Sequence, residues 1–142
     1  MAVFFHEEDI PAGVLGDGAV AVDTETMGLQ THRDRLCLLQ ISDGQGDEHL
    51  VRFGPDSDYG APNLRAILSD QNRLKLYHFA RFDLAAIECY LGVMAAPAFC
   101  TKIASRMPAR TAAKARTAIG ATPNSARPSG TMPHRMSAFC TD

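Results

Sequence analysis

Leu36-Cys-Leu-Leu-Gln-Ile41 is an apolar run broken by a single glutamine. It is too short for an ordinary helix and lacks the alternation of a half-exposed strand, so it reads as a strand covered on both faces. A chain with such a strand must supply a sheet and something to pack on each side of it. The flanking sequence supplies the sheet. Gly18-Ala-Val-Ala-Val-Asp-Thr-Glu25 is a strand of small and β-branched residues launched by Gly16-Asp-Gly18, and Glu48-His-Leu-Val-Arg-Phe53 returns after the turn Ser42-Asp-Gly-Gln-Gly46. Three consecutive strands joined this way predict a meander, with Val3-Phe4-Phe5 as an edge strand. Pro62 to Leu68 predicts a short amphipathic helix with proline in its first turn. Leu74 to His78 predicts another strand. Ala80 to Leu91 predicts a helix that ends at Gly92 and carries an apolar stripe of Leu84, Ile87 and Leu91, and a third helix begins at Thr101. The order of elements is α/β.

Charge divides the chain in two. Residues 1–106 carry 9 Lys and Arg against 15 Asp and Glu, whereas residues 107–142 carry 5 basic residues and the single acid Asp142. The second stretch also holds four of the eight prolines and, among large aliphatic and aromatic residues, only Ile119 and Phe139. Such a composition buries too little apolar surface to offset its ordering entropy, so 107–142 is expected to be disordered. No run is long enough to span a membrane, and the start lacks a basic secretory flank, which predicts a cytoplasmic protein. Cys37, Cys89, Cys100 and Cys140 form no Cys-x-x-Cys pair. They are expected to be reduced, with no disulfide-linked partner and the first three buried.

Asp23 and Glu25 lie one residue apart at the end of a strand, and the period of two turns both side chains to one face. Two adjacent carboxylates repel, and a site that keeps both ionised supplies a cation, Mg²⁺ or Mn²⁺ for hard oxygen ligands. The same Asp-x-Glu pattern also serves as a turn or a helix cap. Asp83, in Tyr77-His-Phe-Ala-Arg-Phe-Asp83, falls in a first helical turn, where the helix dipole favours an anion.

Taken in order, Ala21-Val-Asp-Thr-Glu-Thr-Met-Gly-Leu29, Asp34-Arg-Leu-Cys-Leu-Leu-Gln-Ile-Ser42 and His78-Phe-Ala-Arg-Phe-Asp83 resemble the first two motifs of the ribonuclease D-like 3'-5' exonucleases, and the resemblance extends through Cys100-Thr-Lys-Ile-Ala-Ser-Arg106. The resemblance implies a ribonuclease H-like mixed sheet flanked by helices, with the exonuclease domain over 1–106 and incomplete at the C-terminus. It implies two-metal hydrolysis of phosphodiester bonds at the 3' ends of single-stranded RNA or DNA, as in RNA processing. By the same resemblance Asp23 bridges both Mg²⁺ or Mn²⁺ ions. Glu25 completes one metal site and contacts the 3'-hydroxyl, and Asp83 serves the other metal through water. Met27, Gly28 and Leu29 pack the last nucleotide, with His78 and Phe82 lining the cleft; for Leu29 and Phe82, plain core packing is the alternative.

The family's third motif, Tyr-x-x-x-Asp, is absent: Tyr59, Tyr77 and Tyr90 all lie upstream, and none is followed by Asp four residues on. Turnover is therefore expected to be low, and the alternative is an inactive remnant that binds nucleic acid or protein. Thr131 to Met136, if encoded ACT ATG CCG CAT CGG ATG, reads Tyr-Ala-Ala-Ser-Asp in another frame, and Thr117 to Ala121 can encode Ser-Asp-Trp-Gly in that same frame. A frameshift and a deletion are the explanation expected for the tail.

Overall fold

The computed structural model describes residues 2–107. The predicted disordered tail and the reading of its alternate frame lie outside the described residues.

The strands form one six-stranded sheet in the order β1-β4-β3-β2-β5-β6. β2 (Val20–Thr26), β3 (Leu36–Ser42) and β4 (Glu48–Arg52) make the predicted antiparallel meander. β1 (Val3–Glu7) adds to the outer side of β4 in parallel and is the expected edge. β5 (Lys75–Tyr77) lies parallel to β2, and β6 (Ala98–Cys100) parallel to β5. The sheet is therefore mixed, flanked by α1 (Pro62–Ser69) and α2 (Arg81–Leu91), which matches the ribonuclease H-like α/β expectation. The short strand β6 has no counterpart in the sequence reading, and the third helix, α3, reaches only from Thr101 to Ala104.

One face of the sheet makes the core. Val20, Val22, Leu39, Ile41, Val51 and Phe53 pack there with Leu64 and Leu68 of α1 and Ile87 and Leu91 of α2. Burying a large aliphatic side chain of this kind contributes about 1.5–3 kcal/mol, so the meander and both helices are held as one unit. Leu38 and Leu50, which project to the other side, are also buried, so the apolar run in β3 is covered on both faces as expected. Asp9, far from α1 in sequence, caps it: its carboxylate oxygens accept from the backbone N–H groups of Asn63 and Leu64 at 3.0 and 2.9 Å. α2 ends at Gly92, whose φ of 64° lets its N–H reach Glu88 O at 3.1 Å.

The cysteines depart from expectation. Cys37 is buried as expected, but Cys89 and Cys100, both free thiols, are exposed and half-buried respectively. Cys89 sits off the apolar stripe of α2, which explains its exposure. Among the described residues no helix is long and apolar enough to cross a membrane.

Candidate active site

β2 carries the site because its two faces have different work. Val20, Val22 and Thr24 are buried toward the helices, while Ala21 and Asp23 are exposed and Glu25 half-buried on the opposite face. The predicted pairing of Asp23 and Glu25 on one face is what the strand does. A register shift against β3 between Glu25 and Thr26 then ends the regular ladder and turns the chain into the loop that follows.

Asp83 reaches the same strand from the helix layer. β5 pairs with β2 only at Val20 and Ala21, and beyond that point the β5 side of β2 is open. Thr24 points its N–H into this gap. Asp83, in the first turn of α2, fills it: its Oδ1 accepts from Thr24 N at 3.0 Å and from the Thr24 hydroxyl at 2.7 Å. The carboxylate replaces a missing strand partner, at the carboxyl end of diverging parallel strands where α/β sheets form crevices.

Electrostatics tie the three acids together. Asp83 is 4% exposed, and burial raises its pKa above the usual carboxylate range; the Thr24 hydroxyl opposes this and the Asp23 charge adds to it. Glu25 is raised by burial, then by the charges of Asp23 and Asp83. Asp23 is raised by its burial against the sheet, opposed by the Thr24 N–H and by His78. It stays solvent-accessible, which limits that effect. Among the described residues neither Lys nor Arg forms an ion pair with any of the three. Three carboxylates that repel without a protein cation are donors of the kind a hard divalent ion takes. Among the described residues, though, no three His, Cys, Asp or Glu side chains are grouped so that one ion could be held by all. With Asp83 turned to Thr24, the direct donors on the open face are Asp23 and Glu25.

Asp23 opens onto a groove of about 640 Å³ whose lining includes Ala21, Gln40, Ser42, Leu76, His78 and Thr101. His78 Nδ1 lies 2.9 Å from Thr101 Oγ1, whose own proton goes to Tyr77 O at 3.1 Å. Thr101 has one proton to give, so His78 donates from Nδ1 and turns Nε2 free of that contact. Asp23 and His78 thus share the groove, whereas Glu25, Asp83, Met27, Gly28, Leu29 and Phe82 are not part of its lining. Met27 and Leu29 are 56% and 85% exposed on the loop after β2, so Leu29 is not a core residue; Phe82 is half-buried on α2. Gly28 is a glycine for a local reason: a Cβ there would meet the Asp34 carboxylate, with Cγ at 2.8 Å. Thr24 is the site residue that the sequence reading missed. Its signal was a hydroxyl on the buried face of a strand, between two acids on the other.

Comparison with known proteins gives this geometry a context. Residues 6–114 match the family model described as 3'-5' exonuclease. Ribonuclease D of Zymomonas mobilis is 30% identical over 86 residues, 61% of this chain and 22% of that protein. Brucella melitensis NrnC bound to pGG is 46% identical with a TM-score of 0.71, over 75% of this chain and 52% of that one. Brucella melitensis NrnC with bound Mg²⁺ is 38% identical with a TM-score of 0.72, over 89% and 66%. The chain spans about a fifth of the ribonuclease D and half to two thirds of the solved NrnC chains.

Proposed function

Since the chain belongs to the 3'-5' exonuclease family, we propose that it is a cytoplasmic exonuclease of ribonuclease D type that removes nucleotides from single-stranded RNA or DNA 3' ends. The observation that carries this reading is the Thr24 bridge, which brings Asp83 from α2 to the strand end between Asp23 and Glu25. Asp23 and Glu25 would hold a pair of Mg²⁺ or Mn²⁺ ions, and Asp83 would act on one of them through its water shell. Such ions neutralise the scissile phosphate and activate the attacking water. The Mg²⁺ in the Brucella relative supports this assignment, and its pGG supports a nucleotide ligand.

The side chains of this protein have separate tasks. Glu25 accepts from the terminal 3'-hydroxyl and fixes the direction of attack. Met27, Gly28 and Leu29 pack the last nucleotide, and exposed apolar side chains suit the faces of a base and sugar. Phe82 and His78 line the cleft. His78, with Nδ1 committed to Thr101, offers Nε2 to a phosphate oxygen when protonated. Residues 1–142 hold no Tyr-x-x-x-Asp of the kind that would orient the water and complete the ligand set.

The test is a labelled single-stranded RNA or DNA incubated with the protein and Mg²⁺ or Mn²⁺. A ladder of shortened products that disappears with chelator and in Asp23→Ala supports the enzyme. Binding without shortening supports the second reading, an inactive nucleic-acid-binding or protein-binding remnant.

A further inference from the structure

β5 and β6 run side by side and pair as far as Tyr77 and Cys100. The residues that follow stay in step. His78 Nδ1 lies 2.9 Å from Thr101 Oγ1, and both residues line the groove onto which Asp23 opens. One position further on, beside the groove, the Lys102 ammonium stands over the Phe79 ring, 3.9 Å from its centroid. Phe79 is 51% exposed and takes a φ of 70°. A bulky side chain at positive φ is strained, whereas glycine takes that conformation freely. An aromatic kept there adds little to the core, so its role lies in what it touches, which is Lys102.

A fixed cation is what the groove itself lacks. Its lining holds Asp23, Asp43 and Glu48 and, among the described residues, neither Lys nor Arg. A nucleic-acid strand entering it carries a negative charge at every phosphate. Lys102 stands next to this lining, and among the described residues no carboxylate forms an ion pair with it. Its ammonium has three N–H donors and no acceptor. The ring holds one side of the ammonium by cation–π attraction, which leaves the other side to a ligand oxygen.

We propose that Lys102 binds a backbone phosphate of a single-stranded nucleic acid whose 3' end lies in the groove, and that Phe79 is a positioning residue that holds the ammonium in place for it. The inference deepens the proposed exonuclease function and rests on it, but the contact itself needs no metal. Asp23 lies within the groove and Lys102 outside it, so the phosphate that Lys102 takes is upstream of the scissile one. A lysine loses side-chain entropy when it is fixed on a ligand, and the ring has already restricted this one. A phosphate contact positions the strand without regard to its bases.

The experiment is fluorescence anisotropy of a labelled single-stranded RNA against the full chain in chelator, over a range of salt. It compares wild type with Lys102→Ala, Lys102→Arg, Phe79→Leu and the Lys102→Ala, Phe79→Leu double variant. Arg52→Ala removes an equal charge from β4, where Arg52 pairs with Glu7, and is the control. Lys102→Ala should make the slope of log affinity against log salt shallower by about 0.7, the value for one phosphate contact on a single strand. Between about 1 M and 0.1 M salt the wild type then gains about fivefold more affinity than the variant. Lys102→Arg and Arg52→Ala should keep the wild-type slope. Phe79→Leu should weaken binding, and the double variant should bind no more weakly than Lys102→Ala, because the ring acts through the lysine. A Lys102→Ala slope equal to that of wild type overturns the subsite. So does a wild type that binds no RNA in chelator, since a protein cation holds a phosphate without metal. Additive losses in the double variant overturn the positioning role of Phe79. Cleavage of the same RNA by wild type with Mg²⁺ decides the exonuclease reading separately, and a ladder of shortened products leaves that reading standing whatever Lys102 does.

Discussion

Thr24 gives both its backbone N–H and its hydroxyl to one oxygen of Asp83, at 3.0 and 2.7 Å, across 59 positions of sequence. The bridge is the connection between the strand that presents two acids and the helix that presents the third. Its hydroxyl half can be removed without touching the backbone. Thr24→Val should cost about 1.5–3 kcal/mol, as expected for a buried hydrogen bond to a charged group, and Thr24→Ser should recover most of it. Chemical denaturation of the three proteins measures this; a valine variant as stable as wild type would show the bridge to be dispensable.

Burial holds the Asp83 carboxyl above its ordinary range, so the folded state keeps that proton to higher pH than the unfolded state does. Stability from this group is therefore present at low pH and lost as pH rises through the raised value. Asp83→Asn keeps an oxygen for Thr24 and removes the charge. The Tm of Asp83→Asn minus that of wild type, both metal-free, should increase from acid to neutral pH. A difference that stays flat, or that shrinks, would contradict the sign of the shift.

Gly28 leaves room for the Asp34 carboxylate, whose Oδ2 accepts from Gln30 N–H at 2.9 Å. Gly28→Ala forces Asp34 out of this place and opens the loop that carries Met27 and Leu29. The expected cost is about 1 kcal/mol of stability, at the low end for overpacking, together with a raised KM for oligonucleotide. Melting curves and steady-state kinetics check the two effects separately.

Ile87 lies fully buried on α2 among the side chains that fasten this helix to the sheet. Ile87→Ala should destabilise the protein by about 2–5 kcal/mol, the range for a large core aliphatic. Because the same helix carries Asp83, Mn²⁺ affinity should fall as well. Urea titration gives the first quantity and a metal titration the second.

The period of two in Val20 to Glu25 makes the shared face of Asp23 and Glu25 legible in the sequence itself, because alternation is a local property of a strand. The stripe of Leu84, Ile87 and Leu91 likewise marks which side of α2 packs, and it also marks Cys89 as off that side. The Asp83 connection is not legible in the same way. It depends on where β5 stops pairing with β2, and register between distant segments leaves no local trace. β6 escapes detection because three residues after a proline carry no measurable period.

β2 is laddered on one side by β3 along most of its length and on the other by β5 and the Asp83 carboxylate. Amide protons along such a strand exchange with solvent only when the whole sheet opens. Asp23 and Glu25 thus stand on a strand held from both sides, and Met27 and Leu29 on an exposed loop. On the proposed reading, accommodation of different terminal nucleotides would fall to the loop, while the anchorage of the acids would stay the same for every substrate.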